Sequence, residues 1–159
     1  MRFKKNIIIT GGAGFVGSNL IKLLLIKTNY NIISLDNYSS GSKKNEIRSN
    51  RIKYLKGETK NIKTIIKKPR SIHSLFHFGE FARIYQSFIN MNECIDSNTV
   101  GTNSVFNFCL KNKIHSLFHF GEFARIYQSF LKMNECINSN SIGSHAVFNF
   151  CLNNKIKLI

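Results

Sequence analysis

The chain has no tryptophan, a single proline (Pro69) and only 8 acidic side chains against 23 Lys and Arg in 159 residues. No apolar run approaches the roughly 20 residues that a bilayer-spanning helix needs. The longest, around Leu23 to Ile26, is flanked by Lys22 and Lys27. Met1 to Thr10 is basic but lacks the apolar stretch and small-residue cleavage site of a secretory signal. No membrane partner and a cytoplasmic location are therefore expected. None of the four cysteines (Cys94, Cys109, Cys136, Cys151) belongs to a C-x-x-C pair, which excludes the usual zinc and disulfide patterns. They read as two small buried helix residues, each copied once. A hydrophobic content of 43% excludes wholesale disorder, and the length is that of one ordinary domain.

The scarcity of acids leaves a formal charge of +15, which invites a nucleic-acid reading. Two features weaken it. Lys, Asn and Ile together fill well over a third of the chain, the trio that A/T-rich codons produce. A nucleic-acid surface also interleaves aromatics with its cations, yet the densest basic stretch, Lys43 to Arg70, has Tyr54 as its only aromatic.

The second half of the sequence repeats itself. Residues 72–113 and 114–155 align without gaps, with 33 of 42 positions identical, including the unbroken IHSLFHFGEFARIYQSF. Two copies are too few to bury the core of a solenoid, and residues 1–71 show no trace of the pattern. Either a recent tandem duplication of one strand–helix segment or an assembly or recombination artefact accounts for copies this similar. One domain is expected over 1–159, with the repeat inside it.

Strands and helices alternate. Asn6 to Thr10 is a short β-branched run ending at glycines, the mark of a buried parallel strand. Phe15 to Lys27 carries apolar residues at helical spacing, and Asn31 to Leu35 forms a second strand closed by Asp36. Asn37 to Lys44 reads as a loop, Asn45 to Asn50 as a short helix and Arg51 to Leu55 as a third strand. A basic helix over Asn61 to Lys68 is stopped by Pro69. Ser74 to Phe78 gives a fourth strand, and about Asn90 to Leu110 a longer helix. The second copy repeats that strand and helix, and Lys155 to Ile159 begins another strand. This alternation predicts an α/β fold: a Rossmann-type doubly wound parallel sheet in three α/β/α layers, C-terminally truncated.

The chemistry concentrates at the first turn. Thr10 to Gly17 reads TGGAGFVG, which holds G-x-G-x-x-G (Gly12, Gly14, Gly17) and the G-x-x-G-x-x-G spacing (Gly11, Gly14, Gly17). A strand precedes it and a helix follows, the context that this dinucleotide motif requires. One glycine permits the tight turn, another lets backbone approach a pyrophosphate, and Gly17 allows close helix packing. The helix N-terminus offers unpaired N–H groups to the phosphates. Asp36, 19 residues after Gly17, suits a carboxylate that accepts both ribose hydroxyls of an adenosine and repels a 2′-phosphate.

TGGAGFVGSNL, with LDNYSSG at Leu35 to Gly41, resembles the extended short-chain dehydrogenase/reductases, specifically the UDP-glucose 4-epimerase-like NAD-dependent epimerase/dehydratases. The resemblance implies NAD as cofactor and a nucleotide sugar as substrate. It places Gly11, Gly14, Phe15, Val16 and Gly17 at the cofactor, with Asp36, Asn37, Ser40 and Gly41 beyond them. KGETKNI at Lys56 to Ile62 resembles the segment that holds the adenine, which assigns that role to Glu58 and Thr59. LFHFGEFAR at Leu75 to Arg83 falls where the family lines the cofactor, implicating Phe78, Gly79 and Glu80. SNTVGTNSVFNF at Ser97 to Phe108 resembles the N-x-x-G-T helix, with Asn98 as the matching Asn.

The family's reaction, a hydride transfer at a sugar carbon, uses a Tyr lowered in pKa by Lys in Y-x-x-x-K and a Ser or Thr from the fifth strand. None of Tyr30, Tyr38, Tyr54, Tyr85 and Tyr127 has Lys four residues later. A phenol near pKa 10 is no base at pH 7 without such help. No catalytic residue is assigned, and turnover is not expected of these 159 residues unless a further C-terminal part is supplied. A non-catalytic dinucleotide-binding or interaction module is the alternative, and a basic nucleic-acid binder comes third.

The second copy could fill the fifth-strand position, offering Gly121 and Glu122 in place of a catalytic hydroxyl, or compete with the first for the fourth. Competition would give heterogeneity or a swapped homodimer; the first copy is expected to win the fourth position through its short connection. No metal site is expected, because His73/His77 and His115/His119 are four residues apart on strands, or about 13 Å. Arg83 with Tyr85, and Arg125 with Tyr127, could meet a diphosphate or simply open a helix; Glu80 and Glu122 could be cleft acids or helix caps.

Overall fold

The three isoleucines of Asn6–Thr10 (β1) decide where this segment sits. Ile8 and Ile9 are fully buried and Ile7 nearly so, although successive strand side chains point to opposite faces. A strand buried on both faces must be central in a sheet that is covered twice. β1 pairs in parallel with Asn31–Asp36 (β2) on one side and Ile72–His77 on the other. Ile52–Lys56 (β3) lies outside β2, which makes Ile72–His77 the fourth strand, β4. Ser116–His119 (β5) adds to β4, and the two-residue Lys157–Leu158 (β6) adds to β5. The order β3-β2-β1-β4-β5-β6 is that of a doubly wound parallel sheet, with its winding reversed between β1 and β4. The computed structural model describes residues 5–67, 69, 71–81, 89–120, 144–153 and 157–158.

Phe15–Lys27 (α1) covers one face, where Ile21 packs against Ile7, Ile9 and Ile32. The last turn of α1 is closed by the Arg51 guanidinium, which donates to the carbonyls of Thr28 and Leu25. The other face is covered by Ile62–Ile65 (α2) and by two longer helices. Met91–Ile95 (α3) runs through a π-helical turn, Asp96–Gly101, into Thr102–Lys111 (α4). Ser144–Asn153 (α5) follows in the second copy. Ile8, Leu35, Leu75, Val105, Phe108 and Leu117 form the centre of this larger core.

Two helical expectations are corrected. Over 45–50 only the preceding Lys43–Asn45 makes a 3-10 turn, capped by Ser42 Oγ, which accepts the Lys44 N–H at 3.3 Å. The groups a longer helix would use are claimed from outside. Ile47 N–H donates to the Tyr54 hydroxyl, and the Tyr38 hydroxyl donates to the Glu46 carboxylate. The basic helix expected over 61–68 is the single turn α2, because Ile66 leaves the helical region (φ −103°, ψ 75°) to bury its side chain.

The two copies do not compete. The first supplies β4 and the second β5, paired in parallel as Ser74↔Ser116, Leu75↔Leu117, Phe76↔Phe118 and His77↔His119. Like therefore stacks on like: Phe76 on Phe118 at 4.2 Å between ring centres, Phe78 on Phe120 at 4.7 Å, His77 on His119 at 5.4 Å. Between the helices Phe106 stacks on Phe150 at 5.0 Å, a contact between non-equivalent positions of the two copies. Cys109 and Cys151 are buried free thiols in this core, and burial pushes Cys109 up to about 12. Cys136 lies outside the described residues. Among the described residues no helix is long and apolar enough to cross a membrane.

Leu75 and Leu117 are the same residue of the two copies and both are fully buried. Leu75→Ala and Leu117→Ala are each expected to destabilise the fold by about 2–5 kcal/mol in denaturant unfolding. A silent Leu117→Ala would place the second copy outside the sheet.

Candidate functional site

In a doubly wound sheet the crevice lies at the carboxyl ends of the strands, where the winding reverses. Here the ends of β1 and β4 meet through backbone. Gly11 has φ +72°, and a Cβ there would sit 2.7 Å from the Phe78 carbonyl carbon and oxygen. No other residue tolerates both the dihedral and the contact. Gly17 is constrained from the other side: a Cβ would lie 2.3 Å from the Gly11 carbonyl oxygen. Its role is thus to seat the first turn of α1 on the glycine turn itself. Gly14 precedes α1, and the N–H groups of Phe15, Val16 and Gly17 lie before the helix's own bonds begin.

Asp36 ends β2 with 7% of its surface exposed. Its Oδ2 accepts the Ala13 N–H and its Oδ1 the Tyr38 N–H, each at 2.8 Å. Each oxygen keeps a further lone pair. Beside it Asn37 donates to the Glu58 carboxylate at 3.3 and 3.4 Å. These groups border a cavity of about 300 Å³. Its walls include Gly11 and Gly14 from the first turn, Asp36, Asn37 and Ser40 after β2, and Glu58 and Thr59 after β3. Phe78, Gly79 and Glu80 after β4 complete the set.

Five assigned residues stand off this wall. The side chains of Phe15 and Val16 are exposed, Gly17 lies beneath the turn, and Gly41 packs against Ala13 behind Asp36. Asn98 is spent on the backbone: its Oδ1 accepts the Phe81 N–H at 2.6 Å and its Nδ2 donates to the Phe81 carbonyl at 3.1 Å. It fixes the segment after β4 onto the π-helical turn. Arg83, Tyr85, Glu122, Arg125 and Tyr127 lie outside the described residues.

Other wall residues were not anticipated. Glu93, Asp96 and Ser97 line the cavity, with Asp96 paired to Lys60 at 2.5 Å. Nothing in their spacing distinguishes them from an exposed helix face. A buried relay was missed as well. Thr10 Oγ1 accepts the Gly79 N–H at 3.1 Å and shares a hydrogen bond with His77 Nδ1 at 2.6 Å, its direction set by the ring's tautomer. His77 Nε2 shares a hydrogen bond with Thr102 Oγ1 at 3.0 Å, and the Thr102 hydroxyl donates to Glu80 Oε1 at 3.3 Å. The same Glu80 oxygen is 3.9 Å from His77 Nε2 and 3.7 Å from His119 Nδ1. These separations fall within ion-pair range, yet burial holds His77 down at about 3 and lowers His119 too, so both rings are neutral at pH 7. Burial also pushes the Glu80 carboxyl up to about 7, against the bond from Thr102. Among the described residues, His119 Nδ1 is buried with no hydrogen-bond partner. The one sequence signal for this cluster is HFGE occurring twice, which matters only once the copies are neighbours.

The two titrations oppose each other. His77 takes a proton at its ordinary 6.5 when unfolded but only near 3 when folded, so stability falls as pH drops below 6.5. Glu80 ionises at its ordinary 4.5 when unfolded and near 7 when folded, so its contribution is lost as pH rises from 4.5 to 7. Each slope is about 1.4 kcal/mol per pH unit. With EDTA present, urea unfolding should change little between pH 6.5 and 4.5 and fall steeply below. In Glu80→Gln the fall should begin at 6.5; equal slopes in both proteins would refute the assignment.

The likeness to known proteins matches this geometry. Residues 7–127 match the NAD dependent epimerase/dehydratase family. The chain is 30% identical over 111 residues to the UDP-N-acetylglucosamine 4,6-dehydratase (inverting) of Campylobacter jejuni, covering 68% of this chain and 33% of that protein. Its fold is similar to UDP-glucose 4-epimerase of Thermotoga maritima, solved with UDP-glucose: TM-score 0.73, 20% identity, 96% of this chain and 53% of that one. It is also similar to WbmH of Bordetella bronchiseptica, solved with NAD+: TM-score 0.66, 20% identity, 75% of this chain and 40% of that one. The chain thus spans between a third and about half of these proteins' lengths. With its glycine turn, acid-tipped second strand and doubly wound sheet, it belongs to the NAD dependent epimerase/dehydratase family.

Proposed function

We propose that the cavity holds NAD, and that the chain is the cofactor-binding portion of a nucleotide-sugar epimerase or dehydratase that does not turn over sugar by itself. The observation that carries the reading is Asp36. Its carboxylate is clamped by two backbone N–H groups at the cavity wall and keeps lone pairs for the two ribose hydroxyls of the adenosine. The residues fit the group: Gly11 leaves backbone uncovered where a Cβ could not stand, and the free N–H groups opening α1 complement a pyrophosphate. Glu58 and Thr59 would border the adenine, while Phe78, Gly79 and Glu80 would run along the cofactor. When bound, NAD supplies hydride transfer at a sugar carbon.

The second copy favours the non-catalytic part of this reading. After β5 the sequence offers Gly121 and Glu122 in place of the Ser or Thr that the family's fifth strand supplies, and no Y-x-x-x-K occurs among these 159 residues. The chain's own groups can bind and orient the cofactor, but Glu80 and His119 stand at the strand tips without a phenolate to complete proton transfer at a sugar hydroxyl.

Titration calorimetry tests the cofactor site. Asp36→Ala should weaken NAD about tenfold or more, the loss of a charge-assisted hydrogen bond, and weaken NADP less. Equal loss of both, in protein shown folded by circular dichroism, would remove the ribose role. The NAD-loaded chain should leave UDP-glucose and UDP-galactose unchanged by chromatography; interconversion would overturn the non-catalytic reading.

A further inference from the structure

We propose that His77, Glu80 and His119 form a site for one divalent transition-metal ion with zinc's preferences. The site shares Glu80 with the wall of the cofactor cavity but does not rest on the cofactor reading. It exists because two copies of one strand are neighbours: parallel, in-register pairing sets His77 beside His119 at the strand tips, and the first copy's Glu80 turns back over both. Pairs within one copy remain a strand's length apart; the pair across copies is what converges.

Four observations point to a metal ligand set. The ligand atoms of the three side chains all lie within 4.8 Å of one another. Tetrahedral zinc, with bonds of 2.0–2.1 Å, needs its ligand atoms about 3.3 Å apart; the contacts of Glu80 with the two rings, 3.7 and 3.9 Å, close to that with shifts of a few tenths of an ångström. Two imidazoles and a carboxylate make a known three-ligand zinc set that leaves the fourth position open, and Glu80 borders the 300 Å³ cavity through which a water could reach it. Among the described residues His119 Nδ1 is buried without a hydrogen-bond partner, and coordination would satisfy it.

The surroundings supply the support that bound imidazoles need. With the His77 proton on Nδ1, that N–H donates to Thr10 Oγ1, which still accepts the Gly79 N–H, and Nε2 is free to coordinate once Thr102 turns aside.

The test uses the full chain stripped with EDTA. Cobalt(II) titration should give the intense visible bands of a tetrahedral ion at one per chain, and zinc should displace it. His119→Ala and Glu80→Gln should each weaken zinc binding tenfold or more, while His115→Ala, in the other histidine pair of the same ladder, should leave it unchanged. Circular dichroism reports folding of each variant. In the wild-type chain, zinc should move the ring-nitrogen NMR signals of two of the five histidines, which needs no variant. The proposal is overturned by the absence of tetrahedral bands, by thiolate-to-cobalt charge transfer marking a cysteine ligand, by full affinity in folded His119→Ala or Glu80→Gln, or by loss in His115→Ala.

Discussion

Backbone packed on backbone at Gly11 is the contact on which the site depends. The end of β1 approaches the end of β4 so closely that a methyl group at Gly11 would overlap the Phe78 carbonyl. That approach lets Thr10 Oγ1 take the Gly79 N–H across the reversal of winding. It also sets the glycine turn where the Ala13 N–H meets Asp36 on the far side. Three strand ends are thereby tied through groups no longer than a Thr or Asp side chain. The cavity inherits its shape from these ties, and Asn98 continues the pattern by pinning Phe81 with both ends of its amide.

The duplicated half obeys a different constraint. When a strand pairs in register with its own copy, every side chain faces its like, as in stacked cross-β segments. Leucines and phenylalanines gain from this, whereas a permanently charged residue would face an identical charge. The ionisable residues in the ladder are histidines, which escape by losing the proton. Burial and the proximity of its partner both lower His77, and His115 contributes to lowering His73. α4 and α5, also copies, together cover one face of this pairing. The opposite face is less protected where Phe120 stays 58% exposed.

Much of the first half was legible because local rules and global packing agree there. The β-branched run, the glycine turn and the apolar spacing give β1 and α1 their observed bounds, and Asp36 closes β2 as its position implies. Legibility fails where a distant residue outbids the helix. Tyr54 captures Ile47 N–H and Ile66 buries itself outside helical geometry, and neither is visible in local periodicity. The same holds for the site. The glycines and acids follow from a motif with a mechanism, but the relay Thr10–His77–Thr102–Glu80 joins residues up to 92 positions apart, since Thr10 and Thr102 meet only through the sheet. The histidine pair was read within each copy, where strand geometry separates it; only the pairing of copies brings His77 to His119.

The fold and the chemistry respond differently to the duplication for a physical reason. A fifth strand in a sheet covered on this face needs a leucine-sized side chain pointing inward and a helix with a matching apolar stripe. A copy of the fourth strand and its helix provides both, as equal burial of Leu75 and Leu117 and the shared core of Cys109 and Cys151 show. Packing recognises volume and polarity, so the substitution is tolerated. The strand tip is different, because what it presents to the crevice is one side chain with one proton inventory. A histidine and the approach of Glu80 stand there, in a pocket whose burial lowers the histidine and raises the carboxyl. The architecture of the family survives the copy, while the reactive end of the fifth strand takes on the donor set of the fourth.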